Sequence, residues 1–240
     1  MPRASPSQTR RAIAATAFEL FAARGFDSVT VAEVARKAEV SEATVFNYFP
    51  TKEDLVYARL AAFEAAMLEA IRDRDAGQSI PGAFRAFILQ TQGLLGAKDP
   101  EARNRLATVN RIITGSPALR ARERQLYDDY TRALARLVAE ETSAKPDDVE
   151  PWVVANALMG VHRGLVDYAR ARVLKGSTGP SLARRVRAQA EQALAVLDRG
   201  LAGYPGQERA ARPAAQAAGA GAGRTSKTRQ RQGSAPPGSR

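Results

Sequence analysis

Apolar residues recur every three or four positions along most of this chain, which is the spacing of one face of an α-helix. In the first such segment Ile13, Ala17, Leu20 and Phe21 share a face, and Thr9 stands where an N-cap is expected. No segment alternates apolar and polar residues as a half-buried strand does. The pattern therefore predicts an all-α protein with about nine helices, at residues 10–24, 31–38, 42–49, 52–73, 80–96, 100–114, 117–142, 146–175 and 182–201.

The second and third predicted helices are short and are joined by a tight turn, which is the pattern of a helix-turn-helix unit. Thr30 is the predicted N-cap of the first, with Glu33 completing a capping box, and Ser41 is the predicted N-cap of the second. The residues from Val45 to Phe49 are β-prone. The serine cap and the four-residue spacing of Val45 and Phe49 nevertheless predict a helix that directs both side chains into the core.

The opposite face of the helix at 42–49 carries small and hydrogen-bonding groups. Ala43 permits close approach to DNA, and Thr44 and Asn47 offer hydroxyl and amide groups to phosphates and base edges. Lys52, which follows this helix, adds a positive charge that phosphates attract. These residues predict that the helix reads the major groove of double-stranded DNA.

The formal net charge of +11 is unevenly distributed along the chain. Residues 207–240 contain seven Lys or Arg and one Glu, a net charge of +6, so the other 206 residues carry only +5. From Tyr204 onward large apolar residues are almost absent, and such a segment cannot bury enough surface to offset its ordering entropy. We therefore expect a disordered basic tail at 204–240. The same charge supports an alternative function, a non-specific or architectural DNA-binding protein driven by the tail.

Composition argues against several classes of protein. The chain has no cysteine and a single histidine, His162, which leaves little material for a zinc site or a catalytic triad, so we expect neither an enzyme nor a cofactor. No apolar run approaches the roughly 18 residues of a membrane helix. We therefore expect no membrane partner and a cytoplasmic location.

An ordered series of short motifs runs through residues 9–63. Its members are Phe21-Ala22-Ala23-Arg24-Gly25-Phe26, Val29-Thr30-Val31, Ala35, Val40-Ser41, Ala43-Thr44-Val45-Phe46, Tyr48-Phe49 and Lys52-Glu53-Asp54-Leu55. This series resembles the helix-turn-helix domain of TetR/AcrR-type bacterial transcriptional regulators. The resemblance implies a three-helix DNA-binding domain at 9–55, a helical ligand-binding and dimerisation domain at 56–203, and then the tail.

The resemblance also implies a function, that of a homodimeric repressor that binds a palindromic DNA operator and is released by a small-molecule inducer. By position in the motif, the residues expected at the DNA are Thr30, Ser41, Ala43, Thr44, Phe46, Asn47, Tyr48 and Lys52. Ala43 and Asn47 would lie nearest the bases, and most of the others would meet the phosphate backbone. The homodimer would form through the last two helices, with the apolar stripes that contain Leu158, Leu165 and Leu182 as a four-helix interface.

Two residues depart from the family pattern. Glu39 stands in the turn where the family usually has glycine, and a left-handed conformation costs a non-glycine residue roughly 1 kcal/mol. A differently shaped turn is therefore one expectation. Phe46 stands where tyrosine is common and cannot donate a hydrogen bond to a phosphate, so core packing and DNA contact are both open for it.

The sequence does not define the effector. Residues 115–122 are similar to the C-terminal domains of actinobacterial members thought to sense acyl-CoA-like molecules, which suggests a ligand of that class. His162 could face a ligand pocket or pack in the core. The same two alternatives hold for Trp152, Met159, Phe84, Phe87, Tyr127 and Asn110.

Overall fold

The computed structural model describes residues 5–58, 60–90 and 95–200 of the chain. Within these ranges it is built of α-helices and one 3₁₀ turn, with no strand, as the apolar spacing predicts. The helices are α1 (Pro6–Arg24), α2 (Val31–Lys37), α3 (Glu42–Tyr48), α4 (Leu60–Arg72), α5 (Ile80–Gln90), α6 (Pro100–Gly115), α7 (Pro117–Thr142), α8 (Glu150–Leu174) and α9 (Gly179–Asp198). The predicted tail at 204–240 lies outside the described residues.

Helix α1 begins four residues before the predicted segment. Its N-cap is Ser5 and not Thr9: the Ser5 hydroxyl accepts a hydrogen bond from the backbone N–H of Gln8, and the Gln8 side chain accepts one from the backbone N–H of Ser5. This capping box satisfies two backbone donors at once. Pro6 is well placed at the first helical position, because a backbone N–H there would have no acceptor within the helix. The prediction of Thr9 as the cap was therefore wrong.

The predicted continuous helix at 52–73 is also wrong, because the chain forms a 3₁₀ turn at Glu53–Leu55 and α4 begins only at Leu60. The Thr51 hydroxyl accepts a hydrogen bond from the backbone N–H of Asp54, and the Asp54 carboxylate accepts one from the backbone N–H of Thr51. Leu55 and Tyr57 are then buried beside α1–α3. The periodicity of the segment is helical, but contacts outside the segment decide where its first turn packs.

Helix α8 begins at Glu150, four residues after the predicted start at 146. The backbone N–H of Lys145 donates a 2.7 Å hydrogen bond to the carboxylate of Asp148, and the backbone N–H of Asp148 donates to the carbonyl oxygen of Lys145. These bonds close a turn ahead of the helix. The acidic pair at 147–148 thus belongs to the loop.

The side chains of the described residues form two hydrophobic cores. The first joins α1, α2 and α3, and it also takes in Ile113 from the end of α6 and Leu119 from the first turn of α7. The second is formed by α4, α5, α7, α8 and α9. Helices α6 and α7 therefore contact the helix-turn-helix unit at their junction and the larger helical core along their length.

The apolar stripes of α8 and α9 belong to the second core. Leu158 and Leu165 of α8 and Leu182 of α9 are buried within the chain itself, so these residues cannot form an interface with a second copy. The prediction of a dimer interface on these stripes was wrong in its choice of face. Helical spacing alone marks a face as apolar and does not say whether its partner is in the same chain. The opposite face of α8 carries exposed apolar residues, among them Val153 and Leu174.

Candidate DNA-binding surface and ligand cavity

Helix α2 is fixed against α1 by one carboxylate. The Glu33 side chain accepts a 2.8 Å hydrogen bond from the backbone N–H of Thr30, and the Thr30 hydroxyl accepts one from the backbone N–H of Glu33. Arg24, in the last turn of α1, forms an ion pair with the same carboxylate at 2.8 Å. The hydrogen bond from the Thr30 backbone, with a further contribution from Arg24, lowers the pKa of Glu33 to about 2. The predicted capping box is confirmed. The ion pair between Arg24 and Glu33 is a further contact that the sequence did not predict.

The turn between α2 and α3 keeps the left-handed conformation in spite of its glutamate. Glu39 has a φ of 56°. Its backbone N–H donates to the carbonyl oxygen of Arg36, and that of Val40 donates to the carbonyl oxygen of Ala35. This pair of hydrogen bonds is the Schellman arrangement that commonly ends a helix. The expectation of a differently shaped turn was therefore wrong, because the two hydrogen bonds and the burial of Ala35 hold Glu39 in the conformation that glycine adopts more easily.

Helix α3 is divided cleanly into two faces. Ser41 is its N-cap, and its hydroxyl accepts a 3.1 Å hydrogen bond from the backbone N–H of Thr44. Val45 is buried, and so is Phe49, which lies one residue past the helix end in extended conformation and packs in the first core. The prediction of a helix in this β-prone stretch is confirmed, with an end at Tyr48.

The outer face of α3 carries most of the residues predicted to meet DNA. Ala43 and Asn47 are exposed, Tyr48 is partly exposed, and the Phe46 side chain is 46% exposed. Of the two environments left open for Phe46, the structure gives the exposed one. The Ser41 and Thr44 hydroxyls are 2.8 Å apart and hydrogen-bonded to each other.

The two remaining predicted contacts lie on either side of α3. Thr30 is exposed at the start of α2. The Lys52 ammonium lies 4.2 Å from the centre of the Phe26 ring, a cation–π contact that holds the charge at the edge of the helix-turn-helix unit. Six of the eight predicted residues thus fall in the segment 41–48, and two flank it.

Three contacts that the sequence did not predict connect the helix-turn-helix unit to the α6–α7 junction. The Tyr57 hydroxyl donates to the Leu119 carbonyl oxygen at 2.9 Å. The Ser116 hydroxyl donates to a carboxylate oxygen of Asp27 at 3.0 Å. The Asp54 carboxylate accepts a hydrogen bond from the Arg122 guanidinium and forms an ion pair with it. The Ser116–Asp27 contact joins positions 89 residues apart in the chain, and the Arg122–Asp54 contact joins positions 68 residues apart. The only signal in the sequence was the Ser-Pro cap at 116–117, which marks a helix start and says nothing of a partner.

A cavity of about 280 Å³ lies inside the helical domain. Most of its described lining is apolar and includes Phe63, Leu106, Leu165 and Val173. Two of the open sequence candidates, Asn110 and His162, line it. The other candidates divide: Phe84, Phe87, Tyr127 and Met159 are buried core residues, whereas Trp152 is exposed on α8.

Apart from His162, the polar groups described at the cavity form one connected cluster around Arg170. Its Nη1 donates to a carboxylate oxygen of Glu123 at 2.9 Å and its Nη2 donates to the other oxygen, a bidentate ion pair between α8 and α7. Its Nε donates to the side-chain amide oxygen (Oδ1) of Asn110 at 3.1 Å. Burial opposes the charge of Arg170, but the hydrogen bonds and the charge of Glu123 outweigh it and raise the pKa of the guanidinium. Sequence reasoning missed this cluster, since its members lie 47 and 60 residues apart.

His162 forms a stack with Phe63, with ring centres 4.5 Å apart and planes 15° from parallel. Burial lowers the pKa of His162 to about 4, so its imidazole is neutral near pH 7. A neutral imidazole has one nitrogen that donates a hydrogen bond and one that accepts. In the described part of the chain neither nitrogen has a hydrogen-bond partner.

Two family models match the chain. The model of bacterial regulatory proteins of the tetR family matches residues 13–58, and the model of the MftR C-terminal domain matches residues 78–201, just over half of the chain. The first segment contains the helix-turn-helix unit, and the second contains α5–α9 and most of the described cavity lining. The fold and the site therefore define a two-domain transcriptional regulator.

The chain belongs to the TetR family of bacterial transcriptional regulators, and the predicted resemblance is confirmed. Members of the family are DNA-binding proteins and not enzymes. Among the described residues, no helix combines the length and apolar character needed to cross a membrane.

Individual relatives agree with this assignment. The chain is 28% identical to the proposed mycofactocin biosynthesis transcriptional regulator MftR of Mycobacterium tuberculosis, over 65% of this chain and 76% of that protein. It is 30% identical to the HTH-type transcriptional regulator TcmR of Streptomyces glaucescens, over 59% of this chain and 63% of that protein. Among solved structures, a TetR-family regulator from Syntrophomonas wolfei matches 82% of this chain and 98% of its own with a TM-score of 0.53 at 17% identity, which shows a shared fold.

Proposed function

We propose that the protein is a homodimeric repressor whose α3 helices read the two halves of a palindromic operator and whose affinity for that operator falls when a small molecule binds. The observation that carries the DNA-binding part is the division of α3 into a buried face at Val45 and an exposed face with Ala43, Phe46 and Asn47. An exposed amide beside a small residue is suited to base edges in the major groove. A bacterial regulator of this kind would act in the cytoplasm.

The dimer is part of the proposal because one α3 reads only one half-site. Two copies of α3 must lie about 34–36 Å apart to enter successive major grooves. We place the dimer contact on the outward face of α8, where Val153 is 60% exposed and Leu174 is also exposed. A methyl group added at Gly160 or Gly164 would meet no atom within 4 Å, so this face is open to close approach by a second helix.

The proposed release by ligand follows from the position of α6 and α7. Both helices contribute to the first core through Ile113 and Leu119, and Asn110 of α6 lines the cavity. A ligand that binds better when these helices are placed differently shifts the population away from the arrangement that fits the operator.

The test is selection of bound sequences from a random DNA pool, with the wild type and with Asn47→Ala. The proposal expects an enriched palindrome, with half-sites that change or weaken in the variant because the amide reads a base. Asn104→Ala is the matched control, since Asn104 is an exposed asparagine on α6, away from the proposed dimer face of α8. Absence of an enriched palindrome, or equal effects of the two substitutions, would contradict the proposal.

Removal of residues 204–240 separates this function from the alternative of a tail-driven, non-specific DNA-binding protein. We expect the truncated protein to select the same palindrome, with a smaller dependence of affinity on salt, because each Lys or Arg lost removes a phosphate contact. If the truncated protein has lost sequence preference together with most of its affinity, the alternative is correct.

A further inference from the structure

The charge balance of the cavity restricts what it can bind. Arg170 is the one cationic residue of its described lining. The Arg170 side chain is 12% exposed and that of Glu123 is 13% exposed, and the two form a bidentate pair, with Asp167 adding a second carboxylate at 3.6 Å from Arg170. An arginine paired in this way attracts a further anion only weakly, because its charge is already compensated and its best donors are in use.

The hydrogen-bonding groups left at the cavity are neutral ones. Asn110 uses one amide hydrogen on the Leu106 carbonyl oxygen and its own oxygen on Arg170, so one amide hydrogen remains. The His162 ring stacks on Phe63 and has no hydrogen bond within the described residues. Neutral groups of this kind bind a hydroxyl or a carbonyl group, whereas an ionised group would be buried without a counter-charge.

The volume agrees with a compact ligand. Small-molecule pockets in proteins occupy roughly 300–1,000 Å³, and this one, at about 280 Å³, is at the lower end. The diphosphate and the ribose phosphate of an acyl-CoA head would have no free cationic partner here, so only the acyl part of such a molecule could enter.

We propose that this cavity binds an uncharged, mainly apolar small molecule that carries a hydroxyl or carbonyl group, with His162 and Asn110 as its hydrogen-bonding partners. This ligand class deepens the proposed function. The regulatory effect of the ligand rests on the proposed function, whereas binding of the ligand to the cavity does not. Because Asn110 connects through Arg170 to Glu123, a ligand on Asn110 acts on α6 and α7, the helices that contact the helix-turn-helix unit.

The experiment uses the full-length protein and the uncharged fluorescent probe N-phenyl-1-naphthylamine, displaced in turn by decanol, decanoate and decyltrimethylammonium at pH 8. These three competitors share a chain length and differ in charge. We expect decanol to displace the probe at concentrations at least about tenfold below those of either ion, since 1.4 kcal/mol of unpaired charge already gives that ratio. Displacement by decanoate at the same concentration as decanol would overturn the proposal.

Decanol also enters any apolar phase more readily than decanoate, so a charge variant is needed. Glu123→Gln leaves Arg170 with only the longer, solvent-exposed contact to Asp167, so most of its positive charge becomes available at the cavity. We expect the preference for decanol over decanoate to narrow by about tenfold or to reverse. Glu191→Gln is the matched control, because it removes the carboxylate partner of Arg187 on the outer side of α9. An unchanged preference in Glu123→Gln would overturn the proposed charge balance.

The location is tested without any substitution. His162 is the only histidine of the chain, so its Cε1-bound proton gives one NMR resonance that needs no assignment among histidines. We expect saturation with decanol to shift it, and an unshifted resonance would overturn the site. As a second check, Ala169→Leu should reduce probe affinity several-fold because Ala169 lines the cavity, whereas Ala188→Leu, at an exposed position on α9 outside the cavity lining, should not.

These binding measurements need no DNA, so a negative result for the ligand can be distinguished from a negative result for operator binding. A protein that selects a palindrome and does not bind decanol leaves the repressor standing and removes the ligand class. A protein that binds decanol and selects no palindrome leaves the ligand class standing and removes the proposed repressor function.

Discussion

The hydroxyl of Tyr57 donates a 2.9 Å hydrogen bond to the carbonyl oxygen of Leu119, 62 residues further along the chain, and both residues are buried. Leu119 lies in the first turn of α7, and Tyr57 lies between the 3₁₀ turn and α4. Burial also raises the pKa of the Tyr57 hydroxyl, which keeps the donor protonated. This bond closes the contact between the helix-turn-helix unit and the helical domain.

We expect Tyr57→Phe to lower the free energy of unfolding by about 1–2 kcal/mol, because the buried Leu119 carbonyl oxygen loses its side-chain donor. Urea denaturation followed by circular dichroism measures the change. Tyr168→Phe is the control, since the described structure gives the Tyr168 hydroxyl no hydrogen bond. Equal losses in the two variants would show that the Tyr57 bond contributes nothing specific.

We expect Glu39→Gly to raise the free energy of unfolding by roughly 0.5–1 kcal/mol. Relief of the positive φ of 56° exceeds the extra entropy that glycine brings to the unfolded chain. Glu42→Gly makes the same change at the first helical position of α3, where it should destabilise the protein. Thermal unfolding of both variants checks the sign, and destabilisation by Glu39→Gly would contradict the strain argument.

We expect the pKa of His162, measured from the NMR resonance of its Cε1-bound proton, to be about 4 instead of 6.5. The unfolded chain then takes up a proton at higher pH than the folded one, so stability falls as the pH drops from about 6.5 to about 4. His162→Gln should remove that part of the pH dependence and leave the rest. A measured pKa near 6.5 would show that the ring is solvated.

We expect Phe46 to contact a thymine methyl group in the operator half-site, since an exposed aromatic side chain on the reading face can give only an apolar contact. Replacing that thymine by uracil removes one methyl group, worth about 0.8 kcal/mol, or roughly fourfold in Kd. The loss should appear with the wild type and vanish with Phe46→Ala in a fluorescence-anisotropy titration. If no thymine-to-uracil change in the half-site alters wild-type binding, Phe46 does not read a methyl group.

The local elements of the DNA-binding surface were predictable because their causes are local. The Thr30–Glu33 capping box, the Ser41 cap and the burial of Val45 and Phe49 all depend on residues within four positions of each other. The start of α1 was missed because Ser5 and Thr9 are both good N-cap residues. Gln8 completes a capping box with Ser5, and this local interaction favours the earlier start.

The sequence by itself determined the helical class, the helix-turn-helix unit and the outward residues of α3, since helical periodicity and caps are short-range properties of the chain. Only the tertiary structure decided the break before α4, the assignment of the α8 and α9 stripes to the protein's own core, and the cluster of Asn110, Glu123 and Arg170 at the cavity. Each of these depends on groups tens of residues apart, whose meeting is set by how the helices pack and leaves no regular spacing in the sequence.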